Sequence, residues 1–477
     1  MQGKLLKGSP AYYVNCLIVL LLMFGFRFLP PVGGITEVGM GCLGVFLGAV
    51  WGWITVGMLW PSLLGLIACG FTGYISVSDA ITTGFGSNNV MVLIMIFGIL
   101  GLMESAGLTE YISLRIVGSK VGRGRPWMMV FLLMTAAFVL VAVTCSWGSA
   151  LFVWAIFYKI VESNHIPKGK YTGFVISSII VSAILGGQVF PFSVPVVLLT
   201  GAYTGVAGAE AAPGFVPYVV WMVVVCQLIT LAWLLAGRYL LKVQPPEIDP
   251  DSIEKAEKLT AYQKVVLVFL LAFLAALILS SVLPASLPLT QVLKTLDVKG
   301  LAALILAVLV MLNFAQGQSF NHYMKSANWE LIVVMALITI LSNSLSAAET
   351  GIMDTVSGLL SPVLTGHGPI LFLILITLIP LVLTNVLNNL VIGMLFVPIG
   401  YSLAAAMGIN TGMLFVELVL LTSCALATPA GCAVAALYFG NTEWINGSQA
   451  TRYGLLFALL AWIVAMIAGV PLGMLLF

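Results

Sequence analysis

Apolar stretches of about 20 residues recur along the whole of this 477-residue chain. Each is long enough to cross a hydrocarbon layer about 30 Å thick. Only 8% of the residues are charged and mean hydropathy is +1.14, against roughly a quarter charged in an average soluble domain. An ordinary soluble enzyme is excluded. In lipid an unsatisfied backbone amide or carbonyl costs several kcal/mol, so only helices or a closed barrel can cross. The apolar runs are continuous, without the strict alternation of a barrel strand. The expected fold is an all-α polytopic membrane protein.

The pattern predicts helices near 11–30, 36–52, 55–75, 88–118, 128–160, 172–202 and 215–241. A polar linker follows at 243–263. The second half then gives 264–283, 298–314, 328–358, 369–401, 411–440 and 452–475. Two of these exceed 30 residues and carry a small or polar interruption, Thr144-Cys145-Ser146-Trp147-Gly148-Ser149 and Thr384-Asn385-Val386-Leu387-Asn388-Asn389. Such a stretch fits two half-helices meeting at a tip, a re-entrant hairpin, because irregular backbone is tolerated at depth only inside protein or along a cavity.

With both hairpins returning to their starting side and the N-terminus cytoplasmic, about eleven crossings remain and the C-terminus lies outside. The basic residues agree. Lys4, Lys7, Arg115, Lys120, Arg123, Arg125, Lys159, Lys168, Lys170, Arg238, Lys242, Lys255, Lys258, Lys264, Lys325 and Arg452 fall on the cytoplasmic side, leaving Arg27, Lys294 and Lys299 outside. Treating either hairpin as a crossing would destroy that asymmetry. The expected location is the plasma membrane. The N-terminal run has the outline of a signal peptide, but Arg27-Phe28-Leu29-Pro30-Pro31 offers no small-residue cleavage site, so a retained first helix is expected.

The halves echo each other. Ala106-Gly107-Leu108-Thr109-Glu110-Tyr111-Ile112-Ser113 resembles Thr350-Gly351-Ile352-Met353-Asp354-Thr355-Val356-Ser357, and Thr144 is matched by Thr384, 240 residues later. Gly186-Gly187-Gln188-Val189-Phe190-Pro191 pairs with Ala427-Thr428-Pro429-Ala430-Gly431 as a Gly/Pro break in an apolar run. The expected organisation is an N-terminal helix at 1–35, a first repeat at 36–242, a cytoplasmic linker at 243–263 and a second repeat at 264–477. Five crossings and one hairpin per repeat, an odd number of crossings, make the two copies inverted. Interrupted helices at matching positions of inverted repeats point to a transport site near the midplane. A half-helix N-terminus offers free N–H groups and partial positive charge to an anion, and unwound carbonyls can coordinate a cation.

At these tips and breaks the chain resembles the divalent anion/sodium symporter family, whose members carry Ser-Asn-Thr at each hairpin tip and Thr-Pro in the second broken helix. Here Asn388-Asn389-Leu390 stands at the second tip, and Thr422-Ser423-Cys424-Ala425-Leu426-Ala427-Thr428-Pro429 follows the family's second break closely. The resemblance implies a cation site of Thr384, the Leu387 carbonyl, Asn389 and the Ala427 carbonyl. It places substrate against Asn388, Asn389, Thr428 and Pro429, and against Ser146, Gly148 and Ser149 at the first tip. That first tip departs from the family. Ser146-Trp147-Gly148 or Trp147-Gly148-Ser149 replaces Ser-Asn-Thr, and Trp147 either closes the pocket or packs at an interface. The resemblance further implies a homodimer whose transport domain slides against a scaffold as an elevator.

Few acids lie at depth. Glu417 sits in an apolar helix about ten residues before Thr428. Because an ionisable residue there costs at least ~2.5 kcal/mol, it is the candidate proton or cation carboxylate. Glu330, beside Asn328, is read as interfacial, and Glu104 is undecided. The seven cysteines are scattered without a CxxC pair and read as small buried hydrophobes. His165, His322 and His367 fall in loops, and no HExxH, GxSxG, P-loop or dinucleotide-binding signature occurs. A net charge of +2 is too small for a nucleic-acid surface.

Importing a dianion against about 100 mV costs roughly 4.6 kcal/mol, so accumulation requires coupling to Na+ or H+, or exchange. The expectation is a secondary transporter of a small organic anion such as a di- or tricarboxylate. A cation/proton antiporter, an inorganic oxyanion transporter and a non-transporting receptor or scaffold are the alternatives.

Overall fold

The computed structural model describes residues 9–477, apart from 145–147, 250–255, 285, 315–318, 320, 322, 323, 325, 326, 356, 357 and 359–367. Cys145, Ser146 and Trp147 of the first tip, His322, His367, and Lys4, Lys7, Lys255 and Lys325 lie outside the described residues, as does the side chain of Glu104.

The first half contains α1 (Pro10–Leu20, continuing as tighter and looser turns to Phe28), α2 (Glu37–Thr55), α3 (Leu59–Cys69), α4 (Val77–Phe85), α5 (Asn88–Ser105) and α6 (Leu108–Val117). It continues with α7 (Pro126–Thr144), α8 (Gly148–Ser163), α9 (Lys170–Gly186), α10 (Val194–Ala207) and α11 (Phe215–Leu235, with a π-helical end at Ala236–Leu240). The second half has α12 (Ala261–Val282), α13 (Pro288–Phe314), α14 (Trp329–Ser346), α15 (Pro369–Thr384), α16 (Asn389–Ala406), α17 (Thr411–Ser423) and α18 (Ala433–Gly440). It ends with α19 (Gly447–Val464), a π-helical segment Ala465–Gly469 and α20 (Val470–Leu476).

Among the described residues eight helices are long and apolar enough to cross a membrane, nine if α4 and α5, bent by 45°, form one span. Six shorter apolar helices accompany them, among them α9, α10, α15 and α17. The all-helical polytopic reading is correct, and a pair of helices flanks each interruption. α7 and α8 pack against each other on either side of the first interruption, and α15 and α16 flank the second in the same way.

Three boundaries differ from the apolar pattern. The stretch read as one helix over 55–75 ends at Cys69, and a separate short helix, α4, follows. Ser76 caps α4 by accepting the Asp79 amide at 3.1 Å, a signal that composition averaging conceals. The stretches at 88–118 and 328–358 both break at a left-handed glycine, Gly107 (φ 70°) and Gly351 (φ 65°). At Gly351 a side chain is also excluded sterically, since a Cβ would stand 2.0 Å from the Gly34 carbonyl oxygen.

Two helices sit at the centre. Every residue of α9 from Tyr171 to Gly186 is buried, as is every residue of α17 from Met413 to Ser423. A helix apolar on all sides belongs inside, whereas α12, with Val268, Leu271 and Val282 more than half exposed, presents an apolar outer surface suited to lipid. Gly186 lets α9 approach α7 so closely that a Cβ would lie 2.3 Å from the Phe138 carbonyl oxygen. Both central helices stop at a break, α9 before Gly187 and α17 before Cys424.

Candidate functional site

The second tip and the second break form one hydrogen-bonded unit, and its hub is Asn385. This residue is 6% exposed, so its amide must find partners inside the protein. The side-chain nitrogen donates to the carbonyls of Leu381 (2.8 Å) and Cys424 (3.2 Å). The side-chain oxygen accepts the Ala427 amide at 2.8 Å. The Asn385 carbonyl accepts the Thr428 hydroxyl at 2.5 Å, and the Thr428 oxygen in turn accepts the Ala430 amide at 3.2 Å. Thr384, fully buried, donates to the Thr422 carbonyl at 2.6 Å. The Asn389 amide donates to the Gly431 carbonyl at 2.8 Å. Gly431 is required by packing, because a Cβ would meet the Ala425 oxygen at 2.7 Å and the Thr384 carbonyl oxygen at 3.0 Å.

Thr384, Ala427, Thr428 and Asn389 are thus brought into one small region. Asn385, which ties them together, stands inside the tip motif and carries no role in the family resemblance. Its signal was present: an amide side chain in an apolar run, between two positions already singled out.

The first tip is held differently. Thr144 and Ser149 hydroxyls lie 2.7 Å apart across it, and Thr144 also donates to the Leu140 carbonyl at 2.7 Å. Ser146 is outside the described residues, and Gly148 begins α8. At the first break the Tyr218 hydroxyl donates to the Gln188 carbonyl at 2.9 Å, fixing the non-helical segment between α9 and α10.

A cavity of about 630 Å³ opens between these elements. Ser149 of α8, Ser193 and Val194 at the start of α10, Asn388 and Asn389 at the start of α16, and Cys432 and Ala433 at the start of α18 all line it. These four helix N-termini, drawn from both halves, share the cavity with the starts of α6 and α14. Asn388 caps α16 with its side-chain oxygen, accepting the amides of Leu390 (3.0 Å) and Val391 (3.4 Å). No Lys, Arg or His occurs among the described lining residues. The substrate-side residues Ser149, Asn388 and Asn389 line the cavity, whereas Thr384, Leu387, Ala427, Thr428 and Pro429 are not in its wall.

The cavity lining also holds residues to which the sequence reading gave no binding role. Thr109 and Glu110 line it from the first turn of α6, and Asn328 and Glu330 from the start of α14. Glu330 caps a helix. Its Oε1 accepts the Met58 amide at 3.1 Å and the Leu59 amide at 3.2 Å, capping α3 from a distant part of the chain. Its negative charge is thereby set against the positive end of that helix.

Glu417 lies elsewhere. It is fully buried on α17, its carboxylate oxygens have no hydrogen-bond partner among the described residues, and it is absent from the cavity wall. Its surroundings are Gly469, where a Cβ would come 2.5 Å from Oε1, and Trp221, whose indole donates to the Gly469 carbonyl at 2.9 Å. No group of three or more His, Cys, Asp or Glu able to hold a metal occurs among the described residues. The described cysteines are free thiols.

Comparison with known proteins agrees with this architecture. A sodium-dependent dicarboxylate transporter of Staphylococcus saprophyticus is 22% identical over 470 residues, covering 91% of this chain and 87% of the relative. The crystal structure of the YdaH transporter of Alcanivorax borkumensis superposes with a TM-score of 0.58 at 17% identity, covering 83% of this chain and 87% of the other. The structure of MtrF of Neisseria gonorrhoeae, described as illuminating a class of antimetabolite efflux pumps, superposes with a TM-score of 0.57 at 13% identity, covering 97% and 96%. At such low identity these two structures establish the fold. The sequence profile described as citrate transporter matches residues 46–426, most of the chain. This multi-pass chain is a membrane transporter, not an enzyme, and belongs to the citrate transporter family.

Proposed function

We propose that the chain is a secondary active transporter of a small di- or tricarboxylate across the plasma membrane, with the central cavity as its substrate site. The observation that carries this reading is the convergence of helix N-termini from both halves on a cavity without a basic side chain among its described lining residues. Each N-terminus presents about half a positive charge to the cavity through its helix dipole. A carboxylate held this way requires no buried lysine or arginine, whose own desolvation would have to be offset.

Substrate is held by Asn388, Asn389 and Ser149, with Ser146 and Gly148 beside them at the first tip and Thr428 and Pro429 supporting the second break. Na+ is the coupling ion, a reading supported by the sodium-dependent relative. It occupies oxygens of Thr384, Leu387, Asn389 and Ala427, a neutral donor set suited to a hard cation. Coupling is required because a dianion entering against about 100 mV costs roughly 4.6 kcal/mol. Glu417 is the carboxyl through which a proton would be linked.

Each half has the same order of elements: a long helix ending at a left-handed glycine, a helical hairpin with a polar tip, a broken helix and a long closing helix. This order supports two inverted repeats, at 36–242 and 264–477, joined by a linker at 243–263. It also supports an elevator in a homodimer, the hairpins travelling with the substrate. The distribution of basic residues supports a cytoplasmic N-terminus and an outside C-terminus.

The test is uptake of radiolabelled citrate and succinate by proteoliposomes with and without an inward Na+ gradient. Gradient-dependent uptake is expected, abolished by Asn389→Ala and by Thr428→Ala at unchanged protein incorporation. Gradient-independent flux, or full uptake by both variants, would overturn the proposal.

A further inference from the structure

A second cavity, about 750 Å³, lies at the surface where the N-terminal ends of α9 and α19 meet the π-helical end of α11. Lys170 and Arg452 supply its positive charge, Ser448 and Gln449 its uncharged polar groups, and Leu240 and Leu456 part of an apolar wall. We infer that this groove binds the headgroup of an anionic phospholipid.

The two cations differ from their neighbour Lys168. Lys168, two residues before Lys170, is ion-paired with Glu443 and sits 4.4 Å over the Trp444 ring. Lys170 and Arg452 have no ion-pair partner among the described residues. They stand beside the first turn of α19, an 18-residue helix. Asn446 caps that helix by accepting the Gln449 amide at 2.8 Å. The earlier amides of Gly447 and Ser448 are orphan donors of the kind a phosphate oxygen satisfies.

The apolar wall argues for a lipid rather than a soluble anion. Leu240 is 67% exposed and ends the long apolar span Phe215–Leu240. On α19, Leu455 and Leu459 are more than half exposed, continuing an apolar outer surface away from the charged end. Basic side chains at the end of a membrane helix with apolar surface below them match a phosphate at the interface and an acyl chain beneath it. The site also touches the transport machinery indirectly. α9 runs straight to the first break, and Gly454 of α19 lies against the second, where a Cβ would be 2.3 Å from the Leu426 carbonyl oxygen. A bound headgroup would tie together the ends of the two helices that back both breaks.

The experiment is a thermal-melt titration of the purified full chain in detergent with short-chain phosphatidylglycerol, phosphatidylcholine of the same chain length, or glycerol phosphate. Phosphatidylglycerol alone is expected to raise the melting temperature. The double variant Lys170→Gln/Arg452→Gln should lose about 30-fold in apparent affinity, the worth of two basic side chains at an anionic surface. Lys168→Gln should respond as the wild type does. Equal stabilisation by phosphatidylcholine, equal stabilisation by glycerol phosphate, or an undiminished response of the double variant would each overturn the inference. If the double variant does not fold, each single variant is expected to lose about fivefold. Native mass spectrometry of phosphatidylglycerol retained by each single variant gives a second readout, and retention equal to wild type counts against the site.

Discussion

The Ala427 amide donates to the side-chain oxygen of Asn385 across 2.8 Å, so the second hairpin tip and the second helix break hold each other's shape. Asn385→Ala removes the partner of that amide and the donor to the Leu381 and Cys424 carbonyls. A buried polar group left unpaired costs about 1–3 kcal/mol. The variant is expected to melt at a clearly lower temperature and to lose uptake. A melting temperature equal to wild type would show that the clasp contributes nothing.

Gly454 stands where backbone meets backbone. The Cβ of Gly454→Ala would lie 2.3 Å from the Leu426 carbonyl oxygen and 2.6 Å from the Ala427 Cα. Neither atom can swing aside as a flexible side chain would. Overpacking of this kind costs about 1–3 kcal/mol and here falls on the break itself. Reduced melting temperature and reduced uptake are expected together. Gly440→Ala, where a Cβ meets nothing within 4 Å, is the control and should match wild type in both measurements.

Glu417 poses a separate question, since an isolated carboxylate in a membrane interior must be neutralised by a proton or a cation. Glu417→Gln keeps the shape and removes the titrating group. Uptake measured from pH 5.5 to 8.5 is expected to lose its pH dependence in the variant. The substrate KM at a fixed pH should be unchanged, because Glu417 does not line the cavity. A pH profile identical to wild type would reduce Glu417 to a packing residue against Trp221 and Gly469.

Much of this architecture was legible in the sequence because membrane helices must satisfy their own backbone. A small or polar interruption in a long apolar run therefore has few structural meanings. That logic marked the interruption after Thr384 and the breaks after Gly186 and Ser423, where the described helices stop. It failed at α4, where the polar residues Ser76, Ser78, Asp79, Thr82 and Thr83 dilute the apolar signal and only the cap at Ser76 announces a helix. It also passed over Glu330 as a cap, because the amides it accepts belong to Met58 and Leu59, more than 270 residues away. No local pattern records such a contact. Glu417 illustrates the same limit: its position on an apolar helix was plain, but its separation from the cavity depends on how α17 packs against α11 and the C-terminal π-helical segment.

The central claim is that helix N-termini at this cavity, rather than basic side chains, hold the anion. Isothermal titration of purified wild type and Asn388→Asp with citrate and with succinate, in Na+ buffer, addresses it most directly. Aspartate caps a helix as well as asparagine, so α16 and the melting temperature should be preserved. The added negative charge would sit at the helix terminus proposed to face the substrate. The account predicts binding to wild type and at least tenfold weaker binding, about 1.4 kcal/mol, to a normally folded Asn388→Asp. Equal affinity in the two proteins would contradict it.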